Sequence, residues 1–214
     1  PNIWDFLPPS ALSKRYEAFG FQFSKENHIL RKEYMQAYHA CISFIDAQLG
    51  LVLDGLKKNG LWEDTIIIFT SDHGYHLGDH FIWGKVTLFD IGAKVPFLVR
   101  SPGISKSGAT SEAMVELIDI YPTLGDLASL EAPNHLQGTS LRPLLGKPER
   151  LGKRKFAYSV VTRGPKNLGY ALRNQDWRYG KWPDGEELYN LRNDPLEKRN
   201  LAQKEYFKER LDVF

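Results

Sequence analysis

The chain contains a single cysteine, Cys41, among its 214 residues. That excludes an internal disulfide framework and any multi-cysteine zinc site. It also lacks an excess of charge, since 28 Lys plus Arg stand against 26 Asp plus Glu for a formal +2. A chain so balanced has no field to draw nucleic acid or an anionic membrane, and no Lys/Arg run is long enough to do so locally. Neither kind of partner is expected. No uninterrupted apolar stretch approaches the roughly eighteen residues needed to span a bilayer, and no charged start followed by an apolar segment marks a signal peptide. The first residue is Pro1 rather than Met, so we expect the natural start to lie upstream, and the missing leader excludes nothing. Internal repeats and low-complexity tracts are also lacking. What remains is a globular composition, 42% hydrophobic and 13% aromatic. A chain of this length can bury roughly 70% of the surface its unfolded form exposes.

The opening stretch, Pro1 to Phe23, holds Pro8-Pro9 and no sustained period, which predicts a surface-wrapping connection. Tyr34, Tyr38, Cys41, Ile42, Ile45, Leu49, Val52, Leu53 and Leu56 then recur at spacings of three and four. This is the stripe of a helix facing a core, and it predicts a buried Cys41. Lys57, Lys58, Asn59 and Gly60 supply its C-terminal stop. The β-branched run Thr65 to Thr70 reads as a central strand buried on both faces, and Val95 to Arg100 as a second strand. Asp119, with Pro122 in the first turn, reads as the N-cap of a short helix. From Lys153 the texture changes. Phe156 to Thr162, Gly169 to Arg173, Trp177 to Trp182 and Glu187 to Leu191 are short, aromatic-rich and separated by turn residues, predicting a small antiparallel sheet. The expected organisation is α/β, with part of a central sheet flanked by helices over residues 1–150 and a small antiparallel-sheet subdomain over 151–214.

The chemistry is concentrated directly after the first strand, in Ser71-Asp72-His73-Gly74-Tyr75-His76-Leu77-Gly78-Asp79-His80 followed by Trp83-Gly84-Lys85. Ligands in open α/β sheets bind at the carboxyl ends of strands, where loops carry polar groups over a rigid scaffold. Asp72 offers a hard oxygen and His73 a nitrogen, together a corner for a divalent cation that needs further ligands from elsewhere. Lys85 adds a point charge suited to an anionic oxygen. His76 and His80 are candidates for substrate or metal contact, with donation to backbone carbonyls as the alternative. Arg163, in Thr162-Arg163-Gly164, is a candidate pocket lining, as is Tyr75.

Thr70 to Gly74, continued by Leu77 to His80 and Trp83-Gly84-Lys85, resembles the second metal-ligand segment of type I sulfatases, in the alkaline phosphatase superfamily. The resemblance extends to Asp46-Ala47-Gln48-Leu49-Gly50, to Val115 through Leu124, to Gly138-Thr139-Ser140-Leu141-Arg142-Pro143-Leu144, and to Glu187-Leu188-Tyr189-Asn190-Leu191 with Asp194-Pro195, Glu197, Asn200 and Leu201. Among subfamilies, Gly169 to Arg173 with Trp177-Arg178-Tyr179, and His rather than Asn at position 73, are most similar to the iduronate-2-sulfatase-like branch. The resemblance implies an alkaline-phosphatase-like sandwich, a divalent metal, most simply Ca2+, on Asp72 and His73, and Lys85 on the sulfate and its leaving-group oxygen. Imidazole is not calcium's preferred ligand, so a softer metal also fits His73.

The resemblance further implies a formylglycine nucleophile made from Cys in a Cys-x-Pro-x-Arg motif, and an adjacent Asp-Asp pair. This chain has neither. Cys41 is followed by Ile42, Ser43 and Phe44, and both missing parts are expected upstream of Pro1. The expectation is therefore the C-terminal portion of a sulfatase acting on sulfated carbohydrate, periplasmic or secreted by resemblance, and inactive as this portion alone. Two alternatives stand beside it: a phosphonate or phosphate ester hydrolase of the same superfamily, and a truncated, non-catalytic binding module.

Overall fold

The computed structural model describes residues 7–12, 17–18, 20–24 and 26–204. Part of the opening stretch expected to wrap the surface lies outside them. Its described part is more ordered than expected: a 3-10 turn at Pro9–Ala11 and a two-stranded ribbon, β1 (Glu17–Ala18) with β2 (Phe21–Gln22), with Ala11 and Phe23 fully buried.

Helix α1 (His28–Lys58) begins at Asn27, whose side chain accepts a hydrogen bond from the N–H of Leu30 at 3.2 Å. It ends, as expected, in Lys57 and Lys58, with Asn59 at the cap. Its apolar stripe is not buried. Ile42, Ile45 and Val52 are 52%, 59% and 61% exposed, and Cys41 is exposed as well. The core cysteine anticipated from the periodicity is thus a surface residue, because among the described residues no element covers that face. By length and composition alone α1 is also apolar enough to cross a membrane, a property shared by core helices of soluble proteins.

Strand β3 (Ile67–Thr70) pairs antiparallel with β6 (Phe97–Arg100), in register Ile67 with Arg100 and Thr70 with Phe97. Both are shorter than the runs that announced them. The expected two-sided burial is also corrected, since Phe69 is 39% and Leu98 58% exposed. Between these strands lie the hairpin of β4 (His76–Leu77) with β5 (Trp83–Gly84) and the single turn α2 (Asp90–Ala93).

Helix α3 (Ile120–Leu127) opens directly after Asp119, as the Pro122 spacing predicts, but the side chain of Asp119 does not cap it. Its carboxylate is otherwise engaged. Oδ2 accepts from the N–H of Glu116 at 2.8 Å, while Oδ1 accepts from the N–H of Thr139 at 2.8 Å and from Arg154 Nη2 at 2.7 Å. One buried carboxylate thereby joins the segments before α3, before α4 (Arg142–Gly146) and after it.

The C-terminal sheet follows the sequence closely: β7 (Ala157–Thr162), β8 (Leu168–Arg173), β9 (Trp177–Trp182) and β10 (Gly185–Asn190) form an antiparallel meander in that order. Its inner face carries Gly169, Ala171, Arg178, Gly180, Trp182, Glu187 and Tyr189, all buried. Gly169 permits a close approach, because a Cβ there would lie 2.5 Å from the Trp182 ring. Onto this face pack Ile82, Leu88 and Phe89, from the segment that carries the site. Leu88 joins Ala11, Ala171 and Trp182; Ile82 and Phe89 join Tyr189 and Leu191. The hydrophobic core is therefore the seam between the C-terminal sheet and the loop after β3.

Phe89 is 1% exposed, stacked on His80 at 3.9 Å between ring centroids, with the Arg178 guanidinium 5.1 Å from its ring. Truncating such a ring loses its transfer energy and leaves a cavity. Phe89→Ala is predicted to lower stability by about 3–5 kcal/mol, to be measured by urea unfolding; a loss below about 1 kcal/mol would show that the seam is not the core.

Candidate functional site

At the end of β3 the chain passes into Ser71-Asp72-His73-Gly74. Asp72 is open to solvent, and its Oδ1 accepts from the N–H of His73 at 3.0 Å and from Ser71 Oγ at 3.3 Å. Desolvation pushes this carboxyl up, but His73 and the hydrogen-bond donors outweigh it and hold the pKa below the ordinary aspartate value. His73 Nδ1 lies 2.8 Å from the carbonyl oxygen of Gly74. A carbonyl only accepts, so Nδ1 carries a proton, and in the neutral ring Nε2 is the nitrogen with the lone pair. That Nε2 is 3.4 Å from Asp72 Oδ2. An oxygen and a nitrogen thus converge with the tautomer already set by the bond behind the ring, the arrangement found for metal-ligating histidines. The donors fit a divalent cation, but they form a corner only. Among the described residues, no group of three His, Cys, Asp or Glu side chains gathers as a metal site.

What supports this corner is backbone. Gly74 N–H donates to the carbonyl of Gly92 at 2.9 Å, and a Cβ on Gly74 would lie 2.0 Å from the carbonyl oxygen of Ile91. Any side chain at position 74 would push the loop off α2. The β4–β5 hairpin, with His76 opposite Gly84, then turns the chain back, and Lys85 emerges exposed one residue beyond it. No ion-pair partner is recorded for Lys85 among the described residues, which leaves its ammonium available to an external anion. The turn is strained: His80, Phe81 and Val86 have φ of 55°, 54° and 68°. A left-handed β-branched residue such as Val86 is a conformational outlier, and such strain clusters at functional sites.

The other candidates are placed differently. His76 is completely buried, its Nδ1 3.1 Å from the carbonyl of Asp79 and its Nε2 2.7 Å from Thr87 Oγ1. His80 is 9% exposed against Phe89. Burial pulls the pKa of His76 down and that of His80 down to about 4, so both are neutral near pH 7. Neither joins the open face that carries Asp72. Arg163 sits at the β7–β8 turn with its guanidinium 5.8 Å from the Trp182 ring, and its Nε and Nη2 are buried without a hydrogen-bond partner. Burial lowers its pKa.

Other groups support the loop in ways the sequence did not indicate. Tyr75 shares a short hydroxyl–hydroxyl contact with Tyr34, and its ring lies tilted against Tyr38 with centroids 5.3 Å apart, tying α1 to the site loop. Gly92, which bears the carbonyl under Gly74, carried no signal at all. Arg178, noted in the sequence only within Trp177-Arg178-Tyr179, is 1% exposed.

Comparison with known proteins defines the class. The Sulfatase family model matches residues 8–130, and the model described as N-sulphoglucosamine sulphohydrolase, C-terminal, matches residues 78–212. The chain belongs to the sulfatase family. It is 38% identical over 183 residues to a sulfatase of Formosa agariphila, covering 85% of this chain and 35% of that protein. It is 33% identical over 195 residues to an N-acetylglucosamine-6-O-sulfatase of Bacteroides thetaiotaomicron, covering 85% and 34%. A solved structure described as a complex with its substrate D-glucosamine-2-N,6-O-disulfate superposes with a TM-score of 0.81 at 31% identity, covering 86% of this chain and 39% of that one. The fold is the alkaline-phosphatase-like α/β fold of the sulfatases, with its small antiparallel sheet. The chain spans about a third of the length of the curated relatives it matches.

Two outcomes follow from this geometry. Because the His80 pKa is lower folded (about 4) than its ordinary 6.5, the unfolded state binds more protons between those values. Stability is then predicted to be full above about pH 6.5 and to fall by about 3 kcal/mol towards pH 4, with His76 adding in the same direction. Urea unfolding across that range measures it, and a flat profile would contradict the buried neutral ring. Gly74→Ala is predicted to cost about 1–3 kcal/mol by overpacking, visible as a lower melting temperature.

Proposed function

We infer that the full-length protein is a sulfuric ester hydrolase acting on sulfated carbohydrate, of the iduronate-2-sulfatase-like branch. Residues 1–150 form the C-terminal part of its α/β domain and residues 151–214 a small subdomain. The observation that carries this reading is the convergence of Asp72 Oδ2 and His73 Nε2, 3.4 Å apart, at the carboxyl end of β3. Asp72 and His73 would hold a divalent cation, most simply Ca2+. When bound, the cation neutralises charge on the sulfuryl oxygens.

The chain's own residues supply the rest of this half of the site. The Ser71 hydroxyl and His73 N–H orient the Asp72 carboxylate, and the Gly74 carbonyl holds the proton on His73 Nδ1 so that Nε2 stays a ligand. Lys85 pairs with the sulfate and the departing oxygen. At about 4 Å and an effective dielectric of about 20, such a pair is worth roughly 4 kcal/mol before desolvation. Arg163, with unpartnered guanidinium nitrogens, is the second basic candidate for substrate oxygens. His76 and His80 are retained only as supports of the hairpin. The nucleophile is the formylglycine supplied outside these 214 residues. Cys41 lacks the motif and lies on the exposed α1.

Sulfate release from 6-sulfated glucosamine by the full-length protein tests this reading. Asp72→Ala and Lys85→Ala are each predicted to lower kcat/KM by at least about 100-fold, near 3 kcal/mol, with melting curves close to wild type, and the 214-residue portion alone to show no turnover. Unchanged rates in both variants would remove the site assignment. Faster turnover of phosphonate or phosphate esters than of sulfate esters would replace the sulfatase with the related ester hydrolase.

A further inference from the structure

The C-terminal signature Asp194-Pro195-Leu196-Glu197 lies far in sequence from the site, yet its Glu197 touches the element that supports it. Glu197 is 3% exposed, and its Oε2 accepts from the backbone N–H of Asp90 at 2.6 Å, across 107 residues of chain. Asp90 opens α2, whose Gly92 carbonyl receives the Gly74 N–H at 2.9 Å, directly beside His73. The Asp90 carboxylate is held too, by Arg173 through Nε at 3.1 Å and Nη2 at 3.1 Å. The other oxygen of Glu197 pairs with Arg178 Nε, while Arg178 Nη1 donates to Glu187 Oε2 at 2.8 Å. Glu197 also holds a left-handed backbone, φ 51°. An L residue keeps that conformation only where its surroundings over-determine it.

A buried carboxylate ordinarily needs one cationic partner, and Arg178 provides it. The second oxygen is committed to a backbone donor instead, at the start of the one turn that abuts Gly74. We propose that Glu197 is a positioning residue for the Asp72–His73 corner, acting through Asp90 N–H, α2 and the Gly92–Gly74 hydrogen bond. This rests on the reading of Asp72 and His73 as metal ligands. Glu187 belongs to the same buried cluster but does not reach Asp90, so the two glutamates separate positioning from simple burial of charge.

The experiment is calorimetric titration of Ca2+ into the chelator-stripped full-length protein, at a temperature where every variant is folded. Glu197→Asp keeps the charge opposite Arg178 but shortens the reach to Asp90, and it is expected to weaken Ca2+ binding about 10-fold or more. Glu187→Gln removes charge from the cluster and is expected to change the dissociation constant by less than about twofold, while lowering the melting temperature. Wild-type affinity in Glu197→Asp, or equal weakening in both variants, would overturn the positioning role. Asp72→Ala is the control. Affinity lost there but retained in Glu197→Asp overturns this inference alone, whereas affinity retained in Asp72→Ala overturns the metal corner on which it rests.

Discussion

Arg178 is the residue on which the site side of the molecule depends. It is 1% exposed, it faces two buried carboxylates, and it lies within 5.1 Å of the Phe89 ring and 4.7 Å of the Tyr189 ring. Burial pulls its pKa down, but Glu197 and Glu187 push it above the ordinary arginine value, so it stays charged. A guanidinium in that position is costly to desolvate, and it persists only because carboxylates and aromatic faces surround it. The consequence is directional. With Arg178 seated, Glu197 has one oxygen left for Asp90 N–H, Phe89 has a platform, and the segment 82–92 is pressed onto the inner face of the C-terminal sheet. A sheet with no residue in the proposed chemistry, apart from Arg163 at one turn, thus sets where the loop after β3 lies.

The local features were legible in the sequence because their causes are local. Turn residues and aromatic alternation between 156 and 191 marked all four strands of the C-terminal sheet to within two residues. The position of Asp-His-Gly at the end of a β-branched run placed Asp72 and His73 on one loop, and their donor atoms do converge. The features that failed depend on what lies across space. The stripe on α1 and the apolar run of β3 have the pattern of faces packed against a neighbour, and periodicity does not say which; among the described residues Ile45, Val52, Phe69 and Leu98 stand exposed. Asp119 was read as a cap because it stands at the cap position. Its carboxylate instead satisfies donors twenty and thirty-five residues away. A buried arginine on an alternating strand looks like any solvent-facing arginine until its partners, 9 and 19 residues on, are seen beside it.

Placement also alters the charge balance of the site. Three histidines in eight positions suggest a cationic pocket, but His76 and His80 are depressed by burial and bring no charge near pH 7. His73 Nε2 lies 3.4 Å from Asp72 Oδ2, so a cation between them would be shared by a nitrogen and an oxygen. On the open side of the hairpin the fixed positive charge is then Lys85. In the proposed reaction an anionic ester would be held by that ammonium together with a cation on the Asp72–His73 corner. Two charges on separate supports, one on a β3-end loop backed by α2 and one after the strained β5 turn, must be kept in register. Flexible side chains do not achieve that; the backbone contact of Gly74 with α2 and the left-handed residues between 80 and 86 do. His76 and His80 add no charge beside this face until the pH falls below the ordinary imidazole range, where protonating them in their buried positions opposes folding.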